Sequence, residues 1–193
     1  MYSLQTEVYI NEETFPIRNR GDYRMVLDCF SALNDTELTK DERLYTALII
    51  FYEDFSSVED IAECDKDTLQ QLTDEMVKFF DGGEEAKSNT HNHKLLDWNL
   101  DSTLICSAIN NVAKQEIRSL DYLHWWTFLG YYTAIGECPL SHIIGIRYKI
   151  ARGEKLEKHE QKFKADNPEY FSYDMRSTEQ KEADDYIRRL WGE

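Results

Sequence analysis

The side chains best suited to chemistry are few and scattered. His91 and His93 flank Asn92 and, with Glu84, Glu85 or Asp97, offer imidazole and carboxylate ligands of the kind a metal ion uses. A transition metal also needs preorganised ligands, and this stretch is polar and without period, so no metal site is expected there. The same residues spell the H-N-H string of a nuclease, but no spaced second histidine follows, and the string reads as coincidence. His124, between Leu123 and Trp125, has the chemistry of a base, yet on an apolar helix a hydrogen-bonded core histidine is the expected role. His142 and His159 have no evident partner. Neighbouring carboxylates such as Asp41-Glu42, Glu53-Asp54, Glu59-Asp60, Asp74-Glu75 and Asp184-Asp185 point about 100° apart on a helix, so they do not share a site. No nucleophile elbow, phosphate-binding glycine loop, dinucleotide fingerprint, zinc-protease helix or EF-hand spacing occurs. The chain is expected to be no enzyme and to need no cofactor.

The elements that would position these groups follow from composition and period. Of 193 residues, 37 are acidic and 22 basic, a net charge of −15, which disfavours a phosphate-binding or anionic-membrane face; neither nucleic acid nor membrane is an expected partner. A 41% hydrophobic and 13% aromatic composition can fill a core, and only 3 Pro and 8 Gly favour helices. The N-terminus lacks a basic start followed by an apolar run, and no apolar window long enough to span a bilayer appears, so the expected compartment is the cytoplasm. Cys29, Cys64, Cys106 and Cys138 form no C-x-x-C pair and read as reduced thiols.

The pattern predicts a mainly α protein, a multi-helix bundle with a small N-terminal β-hairpin over 7–17. Asp22 caps a helix to about Leu33, and Thr39-Lys40-Asp41-Glu42 is a capping box opening a helix to about Phe55. Asp67 starts a helix ended by Gly82-Gly83. Residues 82–96 read as a mobile loop, Asp101 as the cap of a helix to about Glu116, and 121–135 as a helix apolar nearly all round and therefore surrounded by others. Pro139 opens a helix closed by Gly153. This gives a helical core over 1–152 and a charged extension over 153–193 that no longer sustains a core. In the extension, Ser177 opens a terminal amphipathic helix whose Tyr186, Ile187, Leu190 and Trp191 form a narrow apolar stripe, a candidate partner-binding surface. Charge is uneven: residues 1–81 carry 7 basic and 19 acidic groups, whereas 82–152 carry 7 of each.

The block Asp97-Trp98-Asn99-Leu100-Asp101, followed by Ile105, Ala108 and then Leu123-His124-Trp125-Trp126-Thr127-Phe128, resembles a family of tail-assembly proteins from long-tailed bacteriophages and prophages of Gram-positive bacteria. Ile143-Ile144-Gly145-Ile146-Arg147 fits the same pattern, as do a hairpin leading into Asp22-Tyr23-Arg24 and a helix ending Leu48-Ile49-Ile50-Phe51-Tyr52. The resemblance covers most of residues 1–150, and 153–193 match less clearly. It implies a gene between those of the major tail protein and the tape-measure protein, and a tail assembly chaperone absent from the finished virion. It implies the tape-measure protein as partner, with the major tail protein and a second copy of the chain as further candidates, and it carries no catalytic residues. High net charge suits such a role, since a long partner with exposed apolar segments needs soluble cover. The competing reading is an acidic phage-encoded inhibitor or nucleic-acid mimic, with the −12 front as a phosphate-like surface.

For the motif itself, Trp125 and Trp126 point to different sides of one helix and read as core ties to two neighbours. His124 and the indole N–H groups then need buried partners, for which Asp97 or Asp101 are candidates. The rival reading exposes one tryptophan as a docking anchor.

Overall fold

The computed structural model describes residues 3–84 and 95–172. His91, His93, Tyr186, Ile187, Leu190, Trp191 and the helix expected from Ser177 lie outside the described residues. The protein is mainly α, with eight helices and one antiparallel hairpin among those described. Contacts divide it into two compact units, the first joining 3–84 to 118–133 and the second joining 95–117 to 134–172.

In the first unit, strands β1 (Glu7–Ile10) and β2 (Glu13–Pro16) pair with Val8 opposite Phe15. Asn11 and Glu12 make the turn with φ of 50° and 71°, and Val8, Ile10 and Phe15 are buried. Helix α1 (Tyr23–Leu33) starts where expected, because the Asp22 carboxylate accepts the Arg24 backbone N–H. Helix α2 (Lys40–Phe51) opens on the expected Thr39–Glu42 capping box, which holds the Glu42 carboxyl below its ordinary pKa through the Thr39 N–H and hydroxyl. It stops at Phe51 rather than Phe55. Tyr52 turns extended to bridge Ile17, and one guanidinium nitrogen of Arg18 collects the carbonyls of Ile49, Tyr52 and Phe55, satisfying the helix end that further turns would have covered. A short α3 (Val58–Ala62), capped by Ser57 and Asp60, was not expected.

Helix α4 (Lys66–Phe80) begins one residue before the expected Asp67 start. Asp65, not Asp67, accepts the backbone N–H groups of Asp67 and Thr68. Gly82 and Gly83 then close it at φ of 77° and 85°. Ala47, Leu48, Phe51, Tyr52, Leu72 and Phe79 are fully buried, and edge-to-face contacts of Phe51 with Tyr52, Phe79 and Phe80 knit α2 to α4. Helix α6 (Trp125–Thr133) is shorter than the expected 121–135. The Leu123 N–H donates to the Asp22 carboxylate and its C=O accepts the Tyr23 N–H, which holds this strand-like stretch outside the helix. Trp125 and Phe128 are buried, while Gly130 and Thr133 are exposed, so the helix is not surrounded as its composition suggested.

In the second unit, α5 (Ser102–Ala113) ends at Ala113 rather than Glu116, because Lys114 turns left-handed at φ 57°. Asp101 sits at its N-cap position but makes no side-chain cap. Helix α7 (Pro139–Ala151) has the expected proline at its start and Gly153, at φ 68°, past its end. Ile143 and Ile146 are buried, while Ile144 and Ile150 are only half-buried. Helix α8 (Lys158–Asp166) and a turn at Pro168–Tyr170 follow. Over 153–172 they correct the reading of a region without a core: Phe171 is buried with Ile143 and Ile146, and Phe163, Leu156 and Tyr170 pack on them. Sparse apolar residues suffice because α7 already presents a face to cover. No disulfide joins Cys29, Cys64, Cys106 and Cys138 to one another.

Candidate functional site

The Leu123–Phe128 motif is built on the end of α4. The Trp125 indole N–H donates to the Phe80 carbonyl and that of Trp126 to the Phe79 carbonyl, each at 2.9 Å. These carbonyls belong to the last turn of α4, beyond its regular i→i+4 bonds; Phe79 also accepts the Gly82 N–H at 3.1 Å, and the two indoles complete the cap of a helix end that glycines then leave. The partners expected for the indoles, Asp97 and Asp101, are not used. Trp125 is 1% exposed and stacks on Phe128 at 5.3 Å; Trp126 is half-buried, and its ring lies 3.0 Å from where a Cβ on Gly83 would stand. Gly83 is thus required by both its positive φ and the indole beside it.

His124 is buried, and both ring nitrogens are engaged. Nδ1 accepts the Trp126 backbone N–H at 3.0 Å, so Nε2 carries the proton and donates to the Gln5 carbonyl at 2.9 Å. Burial pulls its pKa below the ordinary 6.5, against the opposing pull of the Gln5 carbonyl and Asp22. A ring with both nitrogens bonded in the neutral state is a structural group, not a free base. Gly21, at φ 77°, passes so close that a Cβ would stand 2.6 Å from the Phe79 ring and 3.1 Å from His124 Nε2. Asp22 completes the arrangement, accepting from the backbone N–H groups of Arg24 and Leu123 and from the Arg24 guanidinium, while Arg24 also donates to the Leu120 carbonyl.

The other half of the motif forms a separate cluster in the second unit. Asp101 and Arg147 are both fully buried and pair through two hydrogen bonds, at 2.6 and 2.8 Å. Arg147 also donates to the carbonyls of Leu95 and Tyr170, and Asp101 accepts the Asp97 backbone N–H. The Asp97 carboxylate accepts the N–H groups of Asn99 and Leu100. The carboxylate expected to cap α5 therefore binds a guanidinium instead. Trp98 is half-buried. Arg147 was legible only as part of the Ile143–Arg147 string; a lone arginine in an apolar helix was the signal that it needed a buried acid.

Among the described residues, no group of three or more His, Cys, Asp or Glu side chains is placed to hold a metal ion, and no helix is long and apolar enough to cross a membrane. What the motif residues make is two polar anchors inside aromatic or aliphatic packing. No curated protein and no solved structure matches the chain. The sequence profile described as Bacteriophage Gp15 protein matches residues 3–170, which takes in the hairpin, both halves of the motif and Tyr170, and the chain therefore belongs to that bacteriophage family.

Proposed function

We propose that the protein is a tail assembly chaperone that binds the tape-measure protein and keeps it soluble while the phage tail is built. The observation that carries this reading is the bacteriophage family match over residues 3–170, read together with the resemblance of the motif blocks to tail-assembly proteins. The chemistry agrees with it. The motif histidine and carboxylates are tied up in structural hydrogen bonds, and a net charge of −15 gives the solubility that a carrier of a long, partly apolar partner needs. In this role it acts without catalysis or cofactor, in the cytoplasm of the bacterial host, and is absent from the mature virion; the major tail protein is a second candidate partner. A nucleic-acid mimic would need carboxylates in a regular exposed row. Here Asp22, Glu42, Asp60 and Asp65 stand where helices start, each accepting backbone N–H groups, so their positions follow the fold and not a phosphate spacing.

Affinity capture of the tagged protein from infected or co-expressing cells, followed by mass spectrometry, tests the proposal. The tape-measure protein is the expected catch. Recovery of a host enzyme with no tape-measure protein would overturn the chaperone reading in favour of the inhibitor.

A further inference from the structure

The first unit carries a charged cavity separate from the tryptophan anchors. Asn19 and Arg20 hold φ of 50° and 53°, and Gly21 follows at 77°. Paired left-handed residues also make the hairpin turn at Asn11–Glu12; at Asn19–Arg20 such backbone persists because the surroundings fix it. Here the Arg20 N–H donates to the Ile17 carbonyl, the Tyr122 hydroxyl donates to the Arg20 carbonyl, and Gly21 is wedged under Phe79. The Arg20 guanidinium is left over the Tyr122 ring, 5.8 Å from its centre. Arg20 and Tyr122 form one wall of a surface cavity of about 420 Å³, whose lining also includes Asp28 and Asp121. The remaining charged lining residues, Asp22 and Arg24, pair with each other. Arg20, Asp28 and Asp121 make no ion pair with any described residue, although Lys78, Arg24, Lys149 and Arg152 all do. A cation and two carboxylates thus share one cavity without neutralising one another, because a fixed backbone and a ring hold the cation in place.

We propose that this cavity grips a helical segment of a partner protein through a lysine or arginine and a carboxylate one turn away from it. The basic side chain enters between Asp28 and Asp121, and the carboxylate meets Arg20. Residues three or four apart on a helix stand about 5–6 Å apart at Cβ, so both reach into one cavity of this size. The preference for a basic residue follows from charge, since the unpaired lining groups sum to −1 and residues 1–81 to −12. The site gives the chaperone reading its point of contact and rests on that reading only for the partner's name.

Isothermal titration of the full chain in about 0.5 M salt, where long-range attraction to the net charge is screened, with a helical peptide of four Glu-Ala-Ala-Ala-Lys repeats and a second peptide carrying Gln for Glu, tests it. The Glu peptide is expected to bind about tenfold more tightly than the Gln peptide, a factor typical of one charge-assisted contact. Asp28→Asn with Asp121→Asn should lower affinity for both by about tenfold, and Arg20→Gln should abolish the preference between them. All three positions are exposed, and an unchanged melting temperature verifies the fold. Glu53→Gln with Asp54→Asn removes the same charge from another exposed place on the unit and should leave both affinities unchanged. Equal binding of the two peptides, no binding, or an equal loss from the Glu53/Asp54 variant would overturn the proposal. No tape-measure protein enters this experiment, so its outcome and that of affinity capture stand apart.

Discussion

Apart from the Asp22 carboxylate, paired with the partly exposed Arg24, the first unit's buried polar anchors are neutral: two indole N–H groups on two carbonyls, an imidazole between an N–H and a carbonyl, and the Tyr52 hydroxyl on the Leu72 carbonyl. The second unit buries a full ion pair, Asp101 with Arg147, together with a hydrophobic cluster of Ile143, Ile146 and Phe171. The contrast follows from what each sequence segment has to bury. Aromatic residues bring large areas with a single polar atom each, so a helix end is enough to satisfy them. The second unit has little aromatic area to bury, and its charged pair fixes which segments meet: Leu95, Asp97, Asp101, Arg147 and Tyr170 come from three separate stretches of chain. One unit draws its stability from area and the other its specificity from charge.

Removing Trp125 should hurt most. Trp125→Ala deletes a buried indole and orphans the Phe80 carbonyl, at a cost of about 4–6 kcal/mol in denaturant unfolding. Trp126→Ala, at a half-buried site, should cost about half as much. Equal losses would mean that the indole hydrogen bonds, and not buried area, hold the first unit.

Breaking the charged pair comes next. Arg147→Met alone leaves a buried carboxylate and should cost about 3–5 kcal/mol, whereas Arg147→Met with Asp101→Leu should recover most of it. A double variant as unstable as the single one would show that the carbonyl contacts of Arg147, not its charge, anchor the second unit.

Gly21→Ala tests how closely the first unit is packed around its neutral donors. The new methyl would overlap the Phe79 ring at positive φ, so a loss of about 2–3 kcal/mol is expected.

The smallest effect should come from pH. The folded pKa of His124 lies below its unfolded value of about 6.5, so the unfolded chain binds the proton first. Its contribution is complete above pH 6.5 and is lost as pH falls from there through the lower folded pKa. His124→Gln should flatten that part of a melting-temperature profile; an unchanged slope would place the acid sensitivity elsewhere.

Much of the fold was legible because it is written locally. Asp22, the Thr39–Glu42 box and Pro139 each act within a few residues, and the sequence placed all three correctly. Asp65 was misread as Asp67 because either aspartate could begin the same apolar stripe, and only backbone direction decides between them. The anchors were not legible for a different reason. The indoles of Trp125 and Trp126 bind backbone carbonyls, which every residue has, so no side chain marks the partner. Arg147 lies 46 residues from Asp101, and His124 lies 119 from Gln5. Arg18 ends α2 by collecting three carbonyls, and these too are backbone groups that no side chain marks.

Cys29 offers a clock for the first unit. Its side chain is buried beneath α2, with the thiol on the Ala47 carbonyl, and burial pushes its pKa well above the usual thiol range. An alkylating reagent attacks thiolate, and a sealed, protonated thiol offers none. Cys64, Cys106 and Cys138 are partly exposed and should be labelled first. The slow fourth label, counted by mass as a function of time, then measures how often α1 and α2 part company, so the rate of a rare opening can be read on the natural sequence without an introduced probe.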